Sequence, residues 1–311
     1  MTIPATAALA IIGAGPAGLA AAVHAARIGI DHVLIDQAAP GGLLRAAFLV
    51  ENMPGFPAAL PGTELSDLLA EQAERHGVRR ITLGVDAVRK EGDGYDVLSA
   101  GTPIWARVCI IATGTQPVMP VVSGWDHALS LGRLHTDART LPGDLRRTSV
   151  VVSGGGDIAF DTALTAHHRG ARVEILMRGR NPRAHRALCR RISGLGIPVR
   201  PEWAIDGIAA GSNGLDLACR NGDGRVETLS AAHLLCCHGR VPDDRLWRTA
   251  AGAGVPLPPD AGIGADGLFC AGDILGRGCR FVAVACGDGV IACHRAIEWV
   301  TSPHPQGAHH A

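Results

Sequence analysis

Aromatic side chains are scarce in this chain: Phe, Trp and Tyr make up 4% of its 311 residues, and Tyr95 is the single tyrosine. Stacking on a planar ligand must therefore come from few side chains, and Phe281, Trp299 and His304, all late in the sequence, are the candidates, with core packing or a loose tail as the other reading of each. Surplus charge is missing too, because 29 basic residues balance 29 acidic ones. That removes the electrostatic case for a nucleic-acid partner or an anionic membrane. No uncharged apolar run approaches the ~18 to 20 residues that span a bilayer. Met1 to Ile12 lacks the basic flank and cleavage site of a signal peptide, and its apolar part runs straight into a glycine-rich segment, so it reads as a core strand. A soluble, cytoplasmic protein is expected. The nine cysteines, at 109, 189, 219, 236, 237, 270, 279, 286 and 293, contain no C-x-x-C pair. An odd count without that spacing excludes a disulfide framework and a zinc ribbon. Cys109, Cys270, Cys236 and Cys237 sit in apolar runs and read as buried structural thiols. The tail Pro303 to Ala311 is the one low-complexity segment, and no metal site is expected in its histidines.

What the chain does have is a pair of glycine-rich cradles. Gly13-Ala-Gly-Pro-Ala-Gly18 follows the apolar run Leu9 to Ile12, opens the alanine-rich stretch Leu19 to Arg27, and returns through Val33-Leu-Ile-Asp36. Strand, tight glycine turn, helix and a second strand ending in an acid make up a dinucleotide-binding unit. The glycines let the backbone approach a pyrophosphate, the helix N-terminus donates N–H groups to it, and Asp36 is placed to accept from an adenosine ribose hydroxyl. Gly154-Gly-Gly-Asp-Ile-Ala159 repeats the design, with Ser149 to Ser153 as strand, Ile158 to Arg169 as helix and Arg172 to Met177 as returning strand. This copy ends in Arg178 rather than an acid, with Arg180 and Arg183 close behind. Basic groups here suit a 2′-phosphate. One charge-assisted hydrogen bond contributes about 1.5 to 3 kcal/mol, on the order of a ten- to hundredfold preference, which favours NADPH with NADH as the alternative. A solvated arginine-rich loop is the other reading of these arginines. The pairing points to two dinucleotides on one polypeptide.

Between the cradles, Gly41-Gly42 and Val50 to Phe56 form a glycine- and proline-rich loop, and Glu64 to His76 is predicted helical with Leu65, Leu68, Leu69 and Ala73 at helix spacing. Cys109 to Gly114 reads as a buried strand leading into a glycine turn, and Gly267 to Asp273 repeats that pattern after the second cradle. The first domain therefore resumes late. The predicted class is α/β, with two Rossmann-like, three-layer ββα nucleotide-binding domains: residues 1–115 and 241–311 form one, and 116–240 is inserted into it. Hinges are expected near Gly114 to Val118 and Gly239 to Pro242. The length suits two such domains, each with a sizeable core.

These residues resemble the low-molecular-weight thioredoxin reductase family over nearly the whole chain, through the first cradle, Gly41-Gly42, Val50 to Pro57, Ala112-Thr-Gly114, the second cradle and Ala271-Gly-Asp273. The resemblance implies FAD on the first cradle, NADPH on the inserted unit, and a homodimer. It assigns Gly13, Gly15, Gly18, Gly42, Asn52, Thr113 and Asp273 to FAD, in a set completed by Pro16, Ala17, Asp36, Gln37, Leu43, Val85, Ala112, Gly114 and Gly272. Gly154, Gly156, Arg178 and Arg183, with Asp157 and Ile158, are assigned to NADPH. Arg280-Phe281-Val282 corresponds to backbone at the pyrimidine edge of the flavin, where a helix N-terminus stabilises the negative charge of the reduced ring.

The departures matter as much. Counting back without gaps from Val150, Asp137-Ala-Arg-Thr140 occupies the positions of the family's catalytic C-x-x-C, with His135 just before. Thioredoxin reduction by the usual dithiol is therefore not expected. Gly179 replaces the middle arginine of the 2′-phosphate motif, and Leu43 stands where relatives commonly carry a polar residue. A cysteine-free branch, the thioredoxin-reductase-like ferredoxin (flavodoxin)-NADP reductases, is similar at Gly154 to Ala163, Arg183-Ala-His185, His135-Thr-Asp137 and Phe281 to Ala292. Its glycine-glutamine and tyrosine loop has no counterpart in Gly41 to Phe56.

The expected activity is an FAD-dependent NAD(P)H oxidoreductase feeding a non-thioredoxin acceptor, either a ferredoxin- or flavodoxin-like protein or a small molecule. Arg133, Arg139, Arg146 and Arg147 could dock an acidic redox partner, and His135, Asp137 or Arg139 could serve a small acceptor as proton donor or carboxylate anchor. A dithiol oxidase or disulfide reductase using Cys279 and Cys286 is the second reading, against which their seven-residue separation weighs. A flavin-binding sensor without turnover is the third. His135, Asp137, Cys279 and Cys286 are thus the catalytic candidates.

Overall fold

The computed structural model describes residues 6–99 and 102–302. The chain begins with β1 (Thr6–Ile12), α1 (Pro16–Ile28), β2 (His32–Asp36), α2 (Gly62–Arg75), β3 (Arg80–Thr82), β4 (Ala87–Glu91), β5 (Gly94–Ser99), β6 (Thr102–Ile111) and β7 (Thr115–Pro117). It continues through α3 (Trp125–Ser130), β8 (Leu134–His135), β9 (Ser149–Ser153), α4 (Asp157–His168), β10 (Arg172–Met177), α5 (Arg186–Gly194), β11 (Val199–Pro201), β12 (Trp203–Gly211), β13 (Gly214–Asn221), β14 (Val226–Ala231) and β15 (His233–Cys236). The last stretch is β16 (Arg240–Pro242), α6 (Arg245–Ala251), β17 (Gly264–Ala265), β18 (Leu268–Cys270) and α7 (Val282–Thr301).

These elements form two compact units. One comprises the chain up to Leu44, Glu51–Gln116 and the chain from Val241, and the other Arg45–Val50 with Pro117–Arg240. In the first unit, β1 lies between β2 and β6, parallel to both, in a sheet ordered β17-β18-β6-β1-β2-β3, with the β4-β5 hairpin joined to the other end of β6. Leu9, Ala10 and Ile11 are completely buried. Such unbroken apolarity is what a parallel strand covered on both faces requires. Helix α1 begins at Pro16, three residues before the predicted start at Leu19, because proline's fixed φ and missing N–H suit the first helical position. It ends at Gly29 with φ 79°, a left-handed cap. On α2, Leu65 and Ala73 face the core, whereas Leu68, off the line of residues 65, 69 and 73, is exposed.

In the second unit, β11-β10-β9-β15-β8 form a parallel sheet and β12-β13-β14 a separate antiparallel one. Phe160 and Leu164 of α4 are buried against that parallel sheet's core. The segment Arg45–Val50 belongs here by contact, which no sequence pattern indicated. Phe48 N donates to Asp161 Oδ2 at 2.8 Å, and its ring meets His168 edge-on at 5.6 Å.

Candidate nucleotide and redox sites

The first cradle is closed by glycines that nothing else could replace. A Cβ on Gly18 would stand 1.8 Å from Gly13 O, and one on Gly13 would stand 2.3 Å from Ala112 O. A Cβ on Gly15 would meet nothing within 4 Å. The turn is therefore packed tight behind and open in front, where phosphate oxygens could reach the N–H groups at the start of α1. Asp36 braces the turn: Oδ2 accepts from Ala14 N at 2.6 Å and Oδ1 from Ala38 N at 2.8 Å. A carboxylate has about four lone-pair sites, so capacity for a ribose hydroxyl remains.

Distant segments converge on this cradle. Gly41 N donates to Ala14 O at 2.7 Å, bringing Gly42 and Leu43 alongside, and the site of a Cβ on Gly42 lies 3.2 Å from Gly15 Cα. The Thr113 hydroxyl donates to Asp243 O at 2.8 Å, fixing the turn between Ala112 and Gly114. A Cβ on Gly272 would lie 2.8 Å from Ala17 Cβ, so the turn carrying Asp273 also packs here. Helix α7 presses its glycine side on α1, with the Gly289 Cβ position 2.0 Å from Ala17 O. Phe281 caps α7 and Val282 is its first residue, which sets Arg280 to Val282 at a helix N-terminus. Asn52 lies exposed on the loop beyond Val50; Gln37 packs its side chain near Gly84, next to Val85.

Of the stacking candidates, Phe281 is half exposed at the start of α7. Trp299 belongs elsewhere: it sits 18 residues beyond Phe281 along α7, about 27 Å at ~1.5 Å per residue, and lines a separate cavity with Phe269 and Arg295. His304 and the tail lie outside the described residues.

The second cradle follows the same plan. A Cβ on Gly154 would stand 2.5 Å from Cys237 O, while one on Gly156 would meet nothing within 4 Å. Asp157 opens α4 with Ile158 behind it, and its carboxylate accepts from His185 N at 2.8 Å. Arg183 N donates to Gly155 O at 2.7 Å, holding the arginine loop beside the cradle. Arg180 pairs with Glu202 at 3.6 Å. Arg178 and Arg183 are exposed, and their guanidinium groups make no ion pair among the described residues. Ser153 Oγ and His238 Nε2 stand 2.7 Å apart next to Arg178, a pairing that sequence inspection misses because 85 residues separate them.

His135, expected as a proton donor facing a substrate pocket, is 5% exposed in β8. Its Nδ1 meets Thr140 Oγ1 at 2.8 Å and its Nε2 meets His233 Nδ1 at 3.0 Å, so neither ring nitrogen is left for a ligand. Burial, aided by His233, pushes it down to about 4. Asp137 is buried with Arg139 folded back on it, Nε to Oδ1 at 2.9 Å and Nη2 to Oδ2 at 2.8 Å. Burial opposes its ionisation, but the Arg139 hydrogen bonds and charge outweigh that and hold the carboxyl below its ordinary range. Of the docking arginines, Arg139 and Arg146 are taken up by Asp137 and Asp144, and Arg133 Nη1 donates to Ala232 O at 3.1 Å. All nine thiols are free. Cys279 is exposed, whereas Cys286 points its thiol at Pro16 O, 3.7 Å away, and burial pushes it up to about 11. A thiol so raised is protonated at neutral pH and a poor nucleophile.

The sequence profile of the family described as pyridine nucleotide-disulphide oxidoreductase matches residues 7–289. A thioredoxin reductase of Treponema pallidum is 28% identical, with 93% of this chain and 96% of the relative covered. A bifunctional thioredoxin reductase/thioredoxin of Mycobacterium leprae is 29% identical over 93% of this chain, which spans 65% of that relative's length. Among solved structures, Lactococcus lactis thioredoxin reductase superposes with a TM-score of 0.86 at 25% identity, covering 94% of this chain and 99% of the other.

Proposed function

The chain belongs to the pyridine nucleotide-disulphide oxidoreductase family, an FAD-dependent oxidoreductase group whose thioredoxin-reductase-like members use FAD and NADPH, and from there we propose that it passes electrons from NADPH to an acceptor other than thioredoxin. That acceptor is a ferredoxin- or flavodoxin-like protein or a small molecule. The observation that carries this choice is the stretch Asp137 to Thr140, where the resemblance puts the family's dithiol: an ion pair between the buried Asp137 and the exposed Arg139 stands there instead. Cys286, bound to Pro16 O and held protonated, offers no replacement.

Bound flavin supplies two-electron exchange with a nicotinamide, and the protein's own work is binding and positioning. The α1 N-terminus and open Gly15 receive a pyrophosphate, Asp36 a ribose hydroxyl, and the start of α7 lends its positive end to the ring. On the other unit, the α4 N-terminus and Gly156 take the second pyrophosphate, while Arg178 and Arg183, free of ion pairs among the described residues, take the 2′-phosphate. A cytoplasmic homodimer completes this reading. No helix among the described residues is long and apolar enough to cross a membrane.

The test is anaerobic. NADPH should bleach the visible flavin band of the purified protein, and ferredoxin, flavodoxin or a quinone, added in turn, should restore it. Restoration by thioredoxin disulfide at a comparable rate would overturn the acceptor assignment, and a flavin that stays oxidised in excess NADPH would overturn the reductase reading.

A further inference from the structure

Three neighbouring parallel strands, β10, β9 and β15, deliver one residue each to a cavity of about 310 Å³ at their C-terminal ends. Ser153 ends β9, Arg178 follows β10 and His238 follows β15. The C-terminal edge of a parallel sheet is where α/β units take ligands. The remaining wall, made by Val118, Pro120, Val121, Val122, Ala204 and Ile205, is apolar, so Arg178 and His238 are the titratable groups facing the space. The imidazole is oriented by Ser153 Oγ on Nε2, at 2.7 Å, and its Nδ1 has no partner among the described residues.

We propose that His238 is a second arm of the 2′-phosphate site: a nicotinamide dinucleotide carrying that phosphate draws a proton onto the imidazole, and one lacking it does not. This rests on the assignment of the second cradle to NADPH. Arg178 alone is a point of attraction for any anion. His238 adds discrimination, because its charge appears only when a phosphate is beside it. Without a ligand, burial and the Arg178 charge hold His238 below the ordinary histidine value, so it is neutral near pH 7. A phosphate dianion next to Arg178 reverses the sign of the local field and favours imidazolium, with Nδ1–H donating to a phosphate oxygen. By linkage, affinity for the 2′-phosphorylated nucleotide rises as pH falls from about 8 to about 6.5, above the second ionisation of a phosphate ester near pH ~6.

Calorimetry on the FAD-loaded protein, with NADP⁺ and with NAD⁺ in two phosphate-free buffers of different ionisation enthalpy, reads the proton directly. Uptake is expected with NADP⁺ and none with NAD⁺. In His238→Gln the uptake should vanish and NADP⁺ binding weaken by about tenfold, with NAD⁺ binding unchanged. NADP⁺ binding without uptake, or uptake retained in His238→Gln, overturns the proposal and leaves the nucleotide assignment standing. Failure of both nucleotides to bind the wild-type protein overturns the assignment and this proposal with it. Should the variant not fold, NMR titration of the wild-type imidazole decides, since a His238 midpoint that does not rise on adding NADP⁺ has the same meaning.

Discussion

Two groups, the partly buried Asp161 and the buried His135, give the protein opposing responses to acid. Burial raises Asp161 to about 6, although it accepts backbone N–H groups from Phe48 and Leu49, and burial lowers His135 to about 4. Between about pH 4 and 6 the folded state holds a proton on Asp161 that the unfolded chain releases, so this residue's contribution to stability falls as pH rises through that window. His135 acts with the other sign: the unfolded chain takes up the proton below about pH 6.5, and stability is lost as pH falls from there towards 4. In the wild-type protein the two partly cancel. Asp161→Asn should therefore become more acid-sensitive than the parent, seen as a steeper fall of the urea midpoint between about pH 6.5 and 4; parallel curves would refute this. Neither group was legible in advance. Asp161 reads as one polar position in a helix pattern, and its partners Phe48 and Leu49 lie more than a hundred positions upstream. His135 was noted for its place before the missing dithiol, yet its burial depends on His233, which no local spacing connects to it.

At the scale of elements, the contact between α1 and α7 depends on missing side chains. Gly289→Ala would drive a Cβ to within 2.0 Å of Ala17 O, in the first turn of the cradle helix. Overpacking of this kind costs typically ~1 to 3 kcal/mol. A lower melting temperature and a reduced flavin-to-protein ratio after purification are expected together. Gly156→Ala is the contrasting change, because its Cβ would meet no protein atom within 4 Å. It should leave the melting temperature nearly unchanged while weakening NADPH binding, measured by calorimetry, and an unaltered affinity would argue against a nucleotide at that cradle. Both cradles could be read from the sequence because strand, glycine turn and helix are contiguous and each position has a local steric reason. Gly289 could not, since its reason is Ala17, 272 residues away in sequence, and for Trp299 the choice between stacking and core packing needs its distance along α7, which matters only once the helix is known to be continuous.

The whole molecule is two units joined by a chain that visits the second one twice, first with Arg45–Val50 and then with Pro117–Arg240. A fragment 117–240 made alone would expose the carboxylate of Asp161 and lose the Phe48 ring from its core. It should unfold at lower urea than the same fragment carrying residues 45–50 through a flexible linker, and equal midpoints would show that the short segment contributes nothing. Glycine- and proline-rich composition marked the loop around this segment, but only tertiary contact says which unit it serves. The nine thiols show a distribution of another kind. Eight are buried or partly shielded and Cys279 stands exposed, two residues before the cap of α7. Toward a bulky maleimide the protein therefore behaves as though it had one cysteine, and a fluorophore attached there would report arrivals at the start of α7 without any residue having been changed.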